Sequence, residues 1–221
     1  MDLKINLPHP VVVFDTETGG LNGDYEIEWP KDNTLKINQK IEGRITKRPV
    51  PILEIGAVIL SPNTLDEIGQ FHTLCGPEQG QSLEDYRSSC TDQALAVNGF
   101  GSRFEELRSA PPMSKALKNF LDFLPKRHML AGQNLRYDMH MVDAACTRFN
   151  LGFTFKNSPL ELVTLAQIYF SLADTPIVAN YKLTTIAEAL GIPTTNAHSA
   201  LADVRMTVAC LKTMINRFAS S

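Results

Sequence analysis

Apolar positions fall along the chain in two different rhythms. Val11-Val12-Val13-Phe14 is a short β-branched run that stops at Asp15, which predicts a buried strand. Ile52 to Leu60 is a second apolar run and Glu67 to Leu74 a third. Pro62-Asn63-Thr64 between them is a turn signal, so these two runs predict a hairpin. Beyond residue 80 the spacing becomes helical. Leu117, Phe120, Leu121 and Leu124 recur at i, i+3, i+4 and i+7 before Pro125 ends the pattern. His128 to Ala131 reads as a short strand. Tyr137–Phe149, Leu160–Leu172 and Leu183–Leu190 read as helices, the last closed by Gly191 and Pro193. A final helix is expected from about His198 to Phe218. Strands first, then helices alternating with short strands, predict an α/β sheet of mixed direction.

Residues 24–50 break this plan, because they separate the first two strands by far more than a turn. Within them Leu35, Ile37, Ile41 and Ile45 fall on odd positions, and Lys36, Lys40 and Arg44 on even ones. Alternation of period two predicts a β-ribbon with one apolar and one basic face. Two readings of the basic face stand side by side: an arm that touches a nucleic-acid backbone, or the solvated outside of an ordinary hairpin.

Composition narrows the class. The chain has 221 residues, with 21 Lys and Arg against 24 Asp and Glu, a formal charge of −3. Hydrophobic residues are 43% and charged residues 20%, which excludes a disordered or collagenous chain. The length is read as one domain, 1–221, with ample material for a core. The slightly acidic balance argues against gripping nucleic acid by bulk charge, though not against a local basic groove. No run approaches the roughly 18 apolar residues needed to span a bilayer, so no membrane partner is expected. The N-terminus lacks an apolar leader core, and Cys75, Cys90, Cys146 and Cys210 form no C-x-x-C pair. A cytoplasmic chain with reduced thiols is the expectation.

Candidate chemistry lies in three clusters. Asp15 and Glu17 stand two apart at a strand end, so they share one side. Paired carboxylates there repel each other and are costly to desolvate, and their hard oxygens suit Mg²⁺ or Mn²⁺. Asn134 and Asp138 are four apart and share a helix face if a helix begins there. Asn134 could equally be a helix cap. His198-x-Ala200-x-x-Asp203 places an imidazole on the approach to the last helix and a carboxylate on it, so both can face one pocket.

Asp15-Thr16-Glu17-Thr18-Gly19, Asn134-x-x-x-Asp138 and His198-x-Ala200-x-x-Asp203, in this order, resemble the three motifs of the DEDDh (DnaQ-like) 3′–5′ exonucleases. The likeness runs from about Val11 to Met214. It includes Ile52-Leu53-Glu54-Ile55-Gly56-Ala57, Tyr181-Lys182-Leu183-Thr184-Thr185-Ile186-Ala187 and Asn98-Gly99-Phe100. Gly20, Gln133 and Val163-Thr164-Leu165 depart from the family's usual residues, and none of these removes a metal ligand or the base.

The resemblance implies a ribonuclease H-like fold, a five-stranded mixed sheet flanked by helices, here with the ribbon inserted near 24–50. It implies two Mg²⁺ ions, for which Mn²⁺ can substitute. Asp15 would bridge them, Glu17 and Asp203 would complete one site, and Asp138 would hold the other ion. His198 would be the general base, with an ordinary pKa of about 6.5. The substrate-contacting residues would be Thr16, Thr18, Gly19, Leu21, Asn98, Phe100 and Asn134. Backbone N–H groups around Thr18 and Gly19 would hold the terminal 3′-OH, Leu21 would wedge beside the terminal base, and Phe100 would stack on a base, with plain core packing the other reading of both side chains. Arg136, Lys182 and Arg205 are further candidate phosphate contacts. The substrate would be the 3′ end of a single-stranded nucleic acid, with a lean to DNA over RNA, releasing nucleoside 5′-monophosphates. A DNA polymerase partner or a homodimer is compatible with the family. The chain ends just after its last expected helix, which favours a stand-alone enzyme over a proofreading subunit. A non-catalytic binding module on the same fold is the remote alternative.

Overall fold

The structure is a computed structural model that describes residues 6–21, 26–28, 44–47, 49–172, 177–194 and 199–220. Strand β1 (Val11–Thr18) runs four residues beyond its apolar start, because it stays paired with β4 (Ile52–Leu60) as far as Thr18 opposite Ile52. β4 turns back into β5 (Glu67–Leu74), the expected antiparallel hairpin. On its other side β1 pairs in parallel with β6 (Met129–Gly132), and β6 with the two-residue β7 (Leu160–Glu161). The sheet order is β5-β4-β1-β6-β7, mixed in direction as the sequence pattern predicts and five-stranded as the family resemblance implies. β2 (Glu26–Glu28) and β3 (Arg44–Lys47) form a separate antiparallel ribbon within the 24–50 insertion. Its register sets Glu28 opposite Arg44 and Glu26 opposite Lys47. Lys36 and Lys40 lie outside the described residues.

Helices cover both faces. Val12 and Phe14 point to one face and join Ile55, Leu117, Phe120, Leu135 and Val142. That side is built by α4 (Met113–Phe123) and α5 (Leu135–Arg148). Val11 and Val13 point the other way, to Val58, Ile186, Val204, Cys210 and Met214. There α6 (Leu162–Ser171), α7 (Leu183–Ala189) and α8 (Ala200–Ser220) pack. Between β5 and α4 the chain makes α1 (Leu83–Ser88), α2 (Asp92–Val97), α3 (Phe100–Arg103) and a 3₁₀ turn over Phe104–Ser109. These surround a smaller core of Leu53, Leu95, Phe100 and Leu107. The four cysteines form no disulfide. Among the described residues no helix is long and apolar enough to cross a membrane.

One strand thus feeds two helix layers. Odd residues of β1 face α8 and even residues face α5, and this alternation continues past Phe14 into the polar end of the strand.

Candidate active site

Asp15 and Glu17 continue the odd face of β1 and point toward α8. α8 brings Asp203 in its first turn, where the Asp203 N–H donates to the Ser199 carbonyl at 3.0 Å. Ligand oxygens of Asp15, Glu17 and Asp203 all lie within 4.8 Å of one another. α8 comes this close because Gly56 stands opposite Asp15 on β4. A Cβ at residue 56 would meet the Leu201 nitrogen at 2.4 Å and the Ala200 carbonyl carbon at 2.6 Å. Any side chain there would push the start of α8, and Asp203 with it, off the sheet.

Asp138 reaches the strand end from the other layer. Parallel pairing of β1 with β6 stops at Val13 opposite Ala131, which frees the edge of β1 beyond it. Asp138 takes that edge. Its Oδ1 accepts from the Thr16 N–H at 2.9 Å and from the Thr16 hydroxyl at 2.6 Å. Asp138 is only 4% exposed. It lies outside the group formed by Asp15, Glu17 and Asp203 but remains close enough to act on the charge of Asp15.

The electrostatics follow from this crowding. Burial, and then repulsion from Asp138, Glu17, Asp203 and Glu54, holds the Asp15 carboxyl well above the ordinary carboxylate range. Burial pushes Glu17 from 4.5 to about 8, aided by Asp203, Glu54 and Asp138 and opposed by the Arg103 cation. Burial raises Asp138 to about 7, against the lowering effect of its bonds from Thr16. Carboxyl groups that resist ionisation when left together are a donor set suited to a hard divalent cation, whose charge would relieve the repulsion. Asp15, Glu17 and Asp203 therefore fit a metal.

The remaining predicted residues have varied placements. Thr18 faces inward; its hydroxyl donates to the Gly20 carbonyl at 2.8 Å and lies 2.7 Å from the Tyr137 hydroxyl. The Tyr137 hydroxyl also donates to the Gly20 carbonyl, at 2.6 Å. Leu21, just beyond this turn, is 87% exposed. The Gly19 N–H is not free for a 3′-OH. It donates to the Pro51 carbonyl at 2.8 Å, and the Gly19 carbonyl accepts from Thr91 at 2.7 Å, so Gly19 stitches the strand end to its neighbours. Asn98 is buried, and its amide donates to the Thr18 carbonyl at 3.0 Å. It braces the strand end from below rather than opening toward it.

Phe100 takes a core position. The ring is 0% exposed, sits in the core with Leu53 and Leu95, and carries the Arg103 guanidinium over its face at 4.1 Å. In this arrangement its faces belong to protein, not to a base. Asn134 precedes α5 with φ 55°, a left-handed conformation that asparagine tolerates well, and makes no side-chain cap bond. Glu161 caps that helix instead, accepting from the Leu135 and Arg136 N–H groups at 3.3 Å each. Arg205 donates to the Gln70 side chain. Arg44 lies on β3. His198 lies outside the described residues; its neighbour Ser199 is described.

Residue spacing did not single out Glu54, Tyr137 or Glu161. Glu54 had a signal, as a lone carboxylate inside the apolar run Ile52–Leu60. Tyr137 and Glu161 had none, since each acts through a partner distant in sequence.

A mixed five-stranded sheet with carboxylates gathered at the end of its central strand defines a ribonuclease H-like nuclease domain. The chain belongs to the exonuclease family (RNase_T), which matches residues 12–211. It is 25% identical over 215 residues to a PolC-type DNA polymerase III of Caldanaerobacter subterraneus subsp. tengcongensis, covering 97% of this chain and 12% of the polymerase. A PolC-type DNA polymerase III of Bacillus cereus is 24% identical over 196 residues, covering 89% of this chain and 11% of the polymerase. This chain therefore spans only about a tenth of the length of those relatives. Escherichia coli exonuclease I, solved with zinc and single-stranded DNA, superposes with a TM-score of 0.69 at 17% identity, over 95% of this chain and 41% of that one. A 3′-exonuclease that recognises the histone mRNA stem-loop superposes with a TM-score of 0.59 at 14% identity, over 97% of this chain and 67% of that one. These structures share the fold.

Proposed function

We propose that this chain is a metal-dependent 3′–5′ exonuclease. It hydrolyses phosphodiester bonds from the 3′ end of single-stranded nucleic acid and releases nucleoside 5′-monophosphates, with DNA the preferred strand. The observation that carries this reading is the convergence of Asp15, Glu17 and Asp203 oxygens within 4.8 Å, in a chain of the exonuclease family.

Asp15, Glu17 and Asp203 would hold a divalent cation, with Asp138 the fourth carboxylate serving a second; Mg²⁺ is the expected ion, and Mn²⁺ can replace it. Bound there, two such ions supply an activated water and charge stabilisation at the leaving oxygen. The protein's own residues do the rest. The braced turn over Thr18, Gly19 and Gly20 fixes where the terminal nucleotide stops. Leu21 offers an apolar surface to its base. His198, directly before Ser199, accepts the proton of the attacking water, since imidazole can do so near neutral pH.

The PolC likeness supports a second reading of context: the same activity used as a proofreading function beside a polymerase. The RNA-directed neighbour keeps an RNA substrate in play. One experiment separates the substrates. Single-stranded DNA and RNA of one sequence, 5′-labelled, are incubated with the protein in Mg²⁺ or in EDTA. A ladder shortening from the 3′ end only in Mg²⁺, faster on DNA, is expected. Faster shortening of RNA would reverse the strand preference, and internal cuts would refute the exonuclease reading.

A further inference from the structure

Glu54 is a charged residue inside an apolar strand, 1% exposed, and the phosphodiesterase chemistry above does not use it. A buried carboxylate is costly unless hydrogen-bond donors surround it. Here three donors from three separate segments do so. Glu54 Oε2 accepts from Arg103 of α3 at 2.8 Å. Glu54 Oε1 lies 2.8 Å from His72 Nε2 of β5 and accepts from the Ser199 hydroxyl at 3.2 Å. Both oxygens are thus engaged by protein, so Glu54 is poorly suited to be a metal ligand.

Its location gives these bonds a use. Glu54 pairs directly with Glu17 across the strands, and Gly56 pairs with Asp15, so residues 54 and 56 share the face that receives α8. Gly56 lets the backbone at Ala200 and Leu201 come down onto β4, and Glu54 ties Ser199 one residue earlier. The start of α8 is therefore fixed at two adjacent points. That start carries Asp203 one turn on and follows His198 directly in the chain. Arg103, stacked on the buried Phe100 ring, anchors the other oxygen, so Glu54 cannot swing away from Ser199.

We infer that Glu54 is a positioning residue for hydrolysis: through Ser199 and Arg103 it holds the start of α8, and so Asp203, in register with Asp15 and Glu17. This inference rests on the exonuclease reading for its activity test but not for its metal test.

The experiment compares wild type with Glu54→Gln, Ser199→Ala and Ser199→Thr on 5′-labelled single-stranded DNA and RNA in Mg²⁺. Each protein is also titrated with Mn²⁺ by calorimetry. Loss of a partner that orients metal ligands costs about 10- to 100-fold. Glu54→Gln keeps the shape but turns an amide toward Arg103, and its kcat is expected to fall within that range at nearly constant KM. Ser199→Ala removes one hydroxyl outside the core; its kcat should fall about 10-fold with the melting temperature held, and Ser199→Thr should restore it. A merely structural role would lower stability without separating kcat from KM and without rescue by threonine. Full kcat in both Glu54→Gln and Ser199→Ala, with wild type active, overturns the inference and leaves the exonuclease reading intact. If wild type cuts neither strand, the exonuclease reading fails and the Mn²⁺ titration decides. Affinity about 10-fold weaker in Glu54→Gln supports positioning of Asp203, and unchanged affinity overturns it.

Discussion

Removing an ionisable carboxyl from the acidic centre should make the metal-free protein more stable, in a pH-dependent way. The perturbation is Glu17→Gln. In the folded protein Glu17 is raised from 4.5 to about 8 by burial and by Asp203, Glu54 and Asp138. Below about pH 4.5 the carboxyl is protonated in both folded and unfolded chains and adds no pH-dependent term. Between 4.5 and about 8 the unfolded chain releases the proton while the folded chain keeps it, so stability falls as pH rises through this window. At about pH 7.5 some three pH units of that window have been crossed, worth about 4 kcal/mol at roughly 1.4 kcal/mol each. Screening at a side chain still partly open to solvent reduces this to about 2 kcal/mol. For a chain of this size that is a melting-temperature difference of about 4 to 8 °C. The assay is thermal unfolding of both proteins in EDTA at about pH 5 and pH 7.5. Glu17→Gln should melt higher at the upper pH and nearly equally at the lower one. Saturating Mg²⁺ should reverse the order, because the wild type gains about 2.7 kcal/mol at a hundred times its dissociation constant and the variant gains less. A variant that is less stable at pH 7.5, or equally shifted at both pH values, refutes the account in which burial, aided by the neighbouring carboxylates, holds Glu17 protonated.

Three further outcomes test other parts of the account. Phe100→Ala should destabilise the protein by about 3–5 kcal/mol in chemical denaturation, as a buried aromatic ring does when truncated; a near-neutral change with weakened substrate binding would return the ring to a base-stacking role. Gly56→Ala should displace the start of α8 and lower Mn²⁺ affinity at least about 10-fold by calorimetry, whereas unchanged affinity would mean that the close approach at Leu201 is dispensable. Replacing Lys36, Lys40 and Arg44 together with Ala should slow cleavage of long strands more than of dinucleotides, in the manner of lost phosphate contacts. Equal slowing of both, or no slowing, reduces the insertion to a surface hairpin.

Much of the architecture was legible because it follows from strong local patterns. The hairpin of β4 and β5 and the amphipathic α4 and α5 obey simple periodicities. The apolar run marks β1 only as far as Phe14, since Asp15-Thr16-Glu17-Thr18 holds no apolar residue; pairing with β4 carries the strand on to Thr18. Leu160–Glu161 was read as helix because two residues of strand cannot show a period. The helices between Leu83 and Arg103 were missed for the same reason, at six, six and four residues each. In the site, the spacing of Asp15 and Glu17 translated directly into a shared face. Phe100 stood between base stacking and core packing because a motif gives residue type but not exposure. Glu54 escaped notice because its partners His72, Arg103 and Ser199 are scattered over the chain, and only the fold collects them.

The central claim is that the carboxylates at the end of β1 are the hydrolytic centre. Asp15 lies within the cluster and repels every other member of it, so Asp15→Asn removes a ligand with almost no change in shape. The deciding measurement is the rate of 3′-end shortening of 5′-labelled single-stranded DNA in Mg²⁺ by this variant, at a folded fraction matched to wild type by circular dichroism. Loss of a ligand that stabilises transition-state charge should lower the rate about 100- to 1,000-fold. Retention of a tenth or more of the wild-type rate, a loss of no more than about 1.4 kcal/mol where ~2.7–4 kcal/mol is expected of a single such group, would contradict the account and place the chemistry elsewhere on the fold.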